Sequence, residues 1–282
     1  MKNLVGNTPV YFLGGINTND ISLKMEYLNP TGSIKDRPAL EMLRHAIFSG
    51  ELNGRTVIEA SSGNTGISLA WAGAMLGIRV VIVMSKGVTK ERVKMIEAFG
   101  AKVIFSPKRE FTDGAIRKVK EIIKKHPKKY YYINQFSNPN NPKAQEEVAK
   151  EIFEDLSKVD YIVAPLGSSG TLMGIANYIQ KNKLKTKIVA AHMEKNSLIP
   201  GLKNMSKSIK PKIYSRKKIH KTFFISSEEA KEKKEYLARN GFFVGHSSGA
   251  AFAAASKLAQ KVMFKNIVVI LPDRGERYLS EK

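Results

Sequence analysis

Hydrophobic positions along the chain follow two rhythms in alternation. Short β-branched or aromatic runs occur at Thr56–Glu59, Arg79–Met84, Lys102–Phe105, Tyr130–Ile133, Tyr161–Pro165, Lys187–His192 and Asn266–Leu271. These read as buried strands. Between them apolar residues recur at helical spacing, as at Leu40, Leu43 and Ile47, and at Ile116, Val119, Ile122 and Ile123, which predicts helices with one buried face. Gly77, Gly100 and Gly241 each follow such a stretch, where a left-handed residue closes a helix. Ser226 with Glu229 three residues on predicts a capping box ahead of a helix through Leu237. Strands alternating with helices of this length predict an α/β fold with a mainly parallel, twisted sheet covered on both faces. Right-handed crossovers then put the functional loops at the carboxyl ends of the strands.

No internal repeat or low-complexity linker divides the 282 residues. That length suits one large core or two modest ones. The Asn- and Pro-rich stretch Asn138–Pro142 is the best place for the chain to pass between sub-domains.

Composition narrows the chemistry. There is no cysteine, which excludes disulfides, thiolate metal sites and cysteine nucleophiles. The five histidines stand neither at i, i+4 nor in an HExxH pattern, so no metal is expected. Asn3, Gly6, Asn7 and Pro9 break up the N-terminus before an apolar segment can form, and no apolar run is long enough to span a bilayer. The expectation is a cytoplasmic protein. The net charge is +22, and Leu202–Lys221 holds eight Lys/Arg and no acid. Such a surface could contact nucleic-acid phosphates, but solvated helix faces and loops account for it better, since no recognition motif accompanies it. Nucleic acid is therefore not the expected partner.

Four polar, glycine-containing loops carry the candidate chemistry. In the first, Asn29-Pro30-Thr31-Gly32-Ser33-Ile34-Lys35-Asp36-Arg37 makes a tight turn into a helix, with Ser33 or Asp36 as its cap and Pro38 in its first turn. Lys35 at a helix N-terminus meets the positive end of the dipole, which disfavours its charged form and suits Schiff-base chemistry. A plain surface lysine in a turn fits the same local pattern. The second loop, Glu59 to Gly66, presents Ser61, Ser62, Asn64 and Thr65 before a helix, as a carboxylate nest or an ordinary cap. The third, Gly167-Ser168-Ser169-Gly170-Thr171, opens a helix after Tyr161–Pro165. It lacks the lysine of a nucleotide loop and is not GxGxxG, so a compact phosphate monoester suits it better than a triphosphate. The fourth, Gly245-His246-Ser247-Ser248-Gly249, brackets its serines one residue too widely for a hydrolase elbow.

Taken together, NPTGSIKDR, SSGNTG, QFSNPNNP, GSSGT and SSGA resemble, in order and nearly end to end, the cysteine synthase (O-acetylserine sulfhydrylase) family of fold-type II pyridoxal-phosphate enzymes. Arg274 after Pro272-Asp273 and the Ser197–Lys203 segment look more like its type B branch. The resemblance implies one catalytic unit over residues 1–282, built as two α/β sub-domains like the tryptophan synthase β subunit. The smaller, substrate-loop sub-domain spans about residues 36–140, and the larger, phosphate-cup one residues 1–35 plus 141–282.

It also implies roles. Lys35 carries pyridoxal 5'-phosphate and moves the substrate's α-proton. Asn64 meets the cofactor's phenolic oxygen, and Gly167, Ser168, Ser169, Gly170 and Thr171 form the phosphate cup. Ser247 faces the pyridine nitrogen, where a neutral serine leaves the ring a weaker electron sink than an aspartate would. Ser61, Ser62 and Thr65 with Gln135 hold the substrate carboxylate. Lys203 sits where some members carry an arginine near the leaving group, and either favours an anionic substituent or belongs to a solvated basic loop. The implied reaction is β-replacement on O-acetylserine or O-phosphoserine with sulfide or thiosulfate, giving L-cysteine, in a homodimer with no membrane partner. A cystathionine β-synthase using a larger thiol is the runner-up, and a basic nucleic-acid-binding protein on this fold is the non-enzyme alternative.

Overall fold

The computed structural model describes residues 4–61, 63–206 and 208–280. The chain divides into two compact units. The first holds the residues up to Ile34 together with Pro142–Glu276, the second Lys35–Asn141 with the residues from Arg277 on. Strands β1 (Val10–Ile16) and β2 (Asn19–Lys24) open the first unit. The second then runs α1 (Asp36–Phe48), β3 (Thr56–Ala60), α2 (Asn64–Leu76), β4 (Val80–Ser85), α3 (Lys90–Ala98), β5 (Lys102–Ser106), α4 (Phe111–Lys125) and β6 (Tyr130–Tyr132). Helix α5 (Asn140–Asp155) begins at the division, inside the Asn138–Pro142 stretch. The first unit resumes with β7 (Tyr161–Pro165), α6 (Gly170–Lys181), β8 (Lys187–Met193), β9 (Lys221–Ile225), α7 (Ser227–Arg239), α8 (His246–Ala259) and β10 (Asn266–Ile270).

The first unit's sheet has the order β1-β2-β10-β7-β8-β9 and the second's β5-β4-β3-β6. Every described pairing is parallel except β1 with β2. The strand runs are apolar at successive positions because both faces are covered. Along β10, Ile267 and Val269 join one core and Val268 and Ile270 the core on the opposite face. Strand β4 does the same in the second unit, with Ile82 and Met84 in one core and Val81 and Val83 in the other. All seven strands read from the pattern are present, with ends shifted by a residue or less. Three were not read from it: β1, β2 and β9.

Helix punctuation follows the sequence. Gly77, Gly100 and Gly241 have φ of 67°, 78° and 91°, and Ser226 and Glu229 complete a reciprocal capping box on α7. The start of α1 differs. Its cap position is Lys35, with no side-chain cap bond, rather than Ser33 or Asp36. Ser33 instead forms a β-bridge with Asp273, and Asp36 accepts a 2.6 Å hydrogen bond from Ser68 Oγ. The bridge holds the Ser33 backbone to a distant partner, and the Ser68 bond takes the Asp36 carboxylate away from the helix end.

Candidate active site

The first unit carries the phosphate-type loop. Strand β7 ends at Pro165, and α6 starts five residues later. Its cap, Ser169, is left-handed at φ 69° and makes no side-chain cap bond. The Ser169 hydroxyl donates to the Ser168 carbonyl at 2.5 Å instead. The first-turn N–H groups of α6 are therefore not covered by a capping side chain, and with the positive end of the helix dipole they suit an anion. Ser168, Ser169 and Thr171 are buried. A Cβ added to Gly167 would lie 2.5 Å from the Gly201 carbonyl oxygen, so only glycine lets the Gly201 turn close over this loop. Lys203 N–H donates to the Leu166 carbonyl at 3.0 Å, which fixes the backbone of the Ser197–Lys203 segment against the same strand end. At Gly201, itself at φ 89°, a Cβ would meet Ser247 Cβ at 3.0 Å.

These contacts bring Gly167–Thr171, Gly201, Lys203 and Ser247 together in one unit. Ser247 lies in the first turn of α8, buried, with its hydroxyl 3.4 Å from Asp273 Oδ1. Asp273 in turn is bridged to Ser33, and Ile34 N–H donates to Pro272 O at 2.8 Å. The turn that leads into Lys35 is thus pinned beside the Ser247 helix start. Lys35 itself is half-buried. His246, next to Ser247, has Nε2 3.4 Å from Lys234 Nζ. Arg274 Nε donates to the Tyr27 carbonyl at 3.0 Å, a structural contact on the turn before Lys35.

The second unit carries the carboxylate-type loop between β3 and α2. Ser61 Oγ accepts from Gly63 N–H at 3.2 Å and Gly66 N–H at 3.0 Å, which curls the loop into the helix start as a nest of N–H groups requires. Thr65 Oγ1 donates to Gln135 Oε1 at 2.8 Å, and Gln135 Nε2 donates to the Ala60 carbonyl at 3.3 Å. Asn141 Nδ2 holds the Gln135 carbonyl at 2.8 Å. Ser61, Thr65 and Gln135 are all buried, so the structure brings these three together; Ser62 lies outside the described residues.

Beneath them Glu59 is completely buried, accepting from Ala60 N–H at 3.0 Å and Gln135 N–H at 3.2 Å. Burial pushes its carboxyl up to about 8, against the lowering effect of those N–H donors. Asn64 Oδ1 accepts from the Arg277 guanidinium. Sequence reasoning gave no role to Glu59 or Arg277. The two residues of the Asn64–Arg277 bond stand 213 positions apart, which leaves no local signal in the sequence.

The donor set fits a phosphate-bearing aldehyde cofactor. A glycine-built loop with hydroxyls at an uncapped helix start suits the phosphate, and a lysine at the α1 start supplies an amine. A family model described as "Pyridoxal-phosphate dependent enzyme" matches residues 1–273. A "Cysteine synthase" from Aquifex aeolicus is 39% identical, covering 98% of this chain and 89% of that protein. The chain belongs to the cysteine synthase family of pyridoxal-phosphate-dependent enzymes. Another member, "Cysteine synthase B" from Pseudomonas aeruginosa, is 36% identical over 99% of this chain and 95% of its own. The crystal structure of a cysteine synthase from Entamoeba histolytica superposes with a TM-score of 0.93 at 35% identity, covering 100% of this chain and 90% of that one. As in that family, the fold is α/β and the cofactor is pyridoxal phosphate. Among the described residues no group of three His, Cys, Asp or Glu could hold a metal ion, and no helix is long and apolar enough to cross a membrane.

Proposed function

We propose that the chain is a cysteine synthase, carrying out β-replacement on O-acetylserine or O-phosphoserine, with sulfide to give L-cysteine or with thiosulfate to give S-sulfocysteine. The observation that carries this reading is the start of α6. Its cap position makes no side-chain bond, and Gly167 there admits no side chain. Such a loop suits a phosphate, and the chain's relatives over nearly its full length are cysteine synthases.

Gly167, Ser168, Ser169, Gly170 and Thr171 hold the cofactor's phosphate, Ser247 faces its ring nitrogen, and Asn64 donates to its phenolic oxygen. Lys35 bonds it through Nζ. When bound, pyridoxal phosphate supplies the electron sink that makes the substrate's α-proton removable. Ser61, Ser62, Thr65 and Gln135 bind the substrate carboxylate and orient the α-carbon. Once the substrate's amine has displaced Lys35 from the cofactor, Nζ would be free to take the α-proton as the β-substituent leaves with its bonding electrons. After the sulfur nucleophile adds at the β-carbon, Lys35 would return the proton to the α-carbon. The first unit acts as the larger, phosphate-cup sub-domain and the second as the smaller, substrate-loop sub-domain of a single catalytic unit. The protein acts as a cytoplasmic homodimer on small molecules, with no membrane or nucleic-acid partner.

The test is the visible absorption spectrum of the purified protein before and after adding O-acetylserine or O-phosphoserine. A yellow protein whose colour is lost in Lys35→Ala and whose spectrum shifts with one of the esters supports the assignment and names the substrate. Offering sulfide and homocysteine in turn then identifies the nucleophile. A protein that stays colourless with added pyridoxal phosphate overturns the assignment.

A further inference from the structure

The C-terminal segment fastens onto the loop that bears Asn64. Thr89 Oγ1 donates to the Arg277 carbonyl at 2.9 Å. The Arg92 guanidinium lies 4.7 Å from the centre of the Tyr278 ring, and Ser280 Oγ donates to Glu91 Oε2 at 2.7 Å. Arg92 also packs under the substrate loop, since a Cβ at Gly63 would come within 2.9 Å of its Cδ. Arg277 is 3% exposed and donates through a guanidinium N–H to Asn64 Oδ1. Thus Thr89, Glu91 and Arg92 of the α3 start hold the segment at three points, and the segment holds Asn64.

This contact decides which end of the Asn64 amide faces which way. An asparagine amide offers an acceptor at one end and donors at the other, and the two are interchanged by a half-turn. A guanidinium has only donors, so it can face only the oxygen. The N–H2 end is then directed away from Arg277. An oxygen that carries negative charge needs a donor, and a flipped amide would present it with a carbonyl.

We infer that Arg277 is a positioning residue that holds the Asn64 amide with its donor end toward the cofactor. The inference rests on the assignment of Asn64 to the cofactor's phenolic oxygen. Arg277 touches neither cofactor nor substrate in this scheme and acts through Asn64 alone.

Apo-protein titrated with pyridoxal phosphate, read by the absorption of the bound cofactor, tests this on Arg277→Met, Arg277→Lys, Asn64→Ala and the Met/Ala double variant. Arg277→Met is expected to weaken cofactor binding roughly tenfold, the size of one charge-assisted hydrogen bond, and to shift the spectrum in the same direction as Asn64→Ala. Arg277→Lys, which keeps a donor, should stay near the parent in both. The double variant should bind no more weakly than Asn64→Ala. If Asn64→Ala departs from the parent while Arg277→Met matches it, or if the two effects add in the double variant, the positioning role is overturned. If Asn64→Ala itself leaves affinity and spectrum unchanged, the assignment of Asn64 fails first, and the inference with it. Should Arg277→Met not fold, Arg277→Gln, which can donate or accept, replaces it and is expected to fall between Met and Lys. Parent-like binding in Arg277→Gln with an altered Asn64→Ala would equally overturn the role.

Discussion

Thr65 Oγ1 donates to Gln135 Oε1 across 2.8 Å, tying the first turn of α2 to the loop after β6. Both side chains are buried, and the hydroxyl has a single proton to give. In its proposed role on the substrate carboxylate, Thr65 would turn its proton away from Gln135, while the Gln135 amide, held through Nε2 on Ala60 O, would stay in place. Thr65→Val removes the donor at constant volume. It should raise KM for the amino-acid substrate by about tenfold, as expected for losing one hydrogen bond to a charged group. Cofactor affinity should be unaffected, and Thr65→Ser should restore KM. Steady-state kinetics with a parallel cofactor titration separates the two.

Glu59 gives the second unit a pH-dependent stability. Complete burial pushes its carboxyl up to about 8 in the folded chain, against 4.5 for an exposed glutamate. Between those two values the folded state keeps a proton that the unfolded state releases. Stability from this group is present in full below about 4.5 and declines as pH rises toward 8. Glu59→Gln cannot ionise and should lose that slope. Urea midpoints at pH 5 and pH 8.5 check this: the parent should fall between them by more than the variant does. Equal falls would place the slope elsewhere.

The seven strands and the four loops were legible because each is announced locally, by a β-branched run or by glycine and hydroxyl residues before a helix. Strands β1 and β2 were not. Gly14 and Gly15 sit within β1, and a register shift between Phe12 and Gly14 accompanies them, so the alternation that marks a strand is broken. Strand β9 lies at the end of the basic run and begins with Lys221, where charge masked the short apolar stretch. The α1 cap differs from the expected one because the backbone of Ser33 is held in a β-bridge with Asp273 and the Asp36 carboxylate accepts from Ser68. Likewise the motifs and the resemblance they carry name candidate site residues, but Asn64–Arg277 and Gln135–Glu59 are pairings across 213 and 76 positions. Spacing within a motif carries no trace of them.

The N-terminal segment is held by a buried ion pair. Lys24, 0% exposed, places Nζ 2.7 Å from Glu151 Oε2 on α5, and it also donates to the Thr8 carbonyl. Glu151 accepts Asn7 N–H at 2.9 Å, and Thr8 Oγ1 donates to Glu26 Oε1 at 2.6 Å. The Gly6-Asn7-Thr8-Pro9 turn is thus fixed by charge rather than by packing. Lys24→Met would remove the ammonium 2.7 Å from the buried Glu151 carboxylate, and breaking a buried pair typically costs about 3–5 kcal/mol. Replacing both, Lys24→Met with Glu151→Leu, should cost less than Lys24→Met alone. Chemical denaturation of the two variants measures the difference, and an equal cost would mean the carboxylate is not what suffers.

Lys203 decides between two substrates if its ammonium serves the site. Its N–H on the Leu166 carbonyl anchors the segment, and Gly201 in the same segment packs against Gly167 and Ser247. The backbone that carries Lys203 is therefore built against the proposed phosphate cup, while the side chain is half-buried. A cation in that position favours a substrate whose leaving group carries two negative charges over one whose leaving group is neutral until it departs. Lys203→Ala should lower kcat/KM for O-phosphoserine relative to O-acetylserine by about tenfold, the value of one charge-assisted contact. Added salt should narrow the parent's ratio toward the variant's, because a partly exposed charge is screened. A ratio that neither the substitution nor salt moves would assign Lys203 to the solvated basic surface, together with the other lysines of residues 202–221.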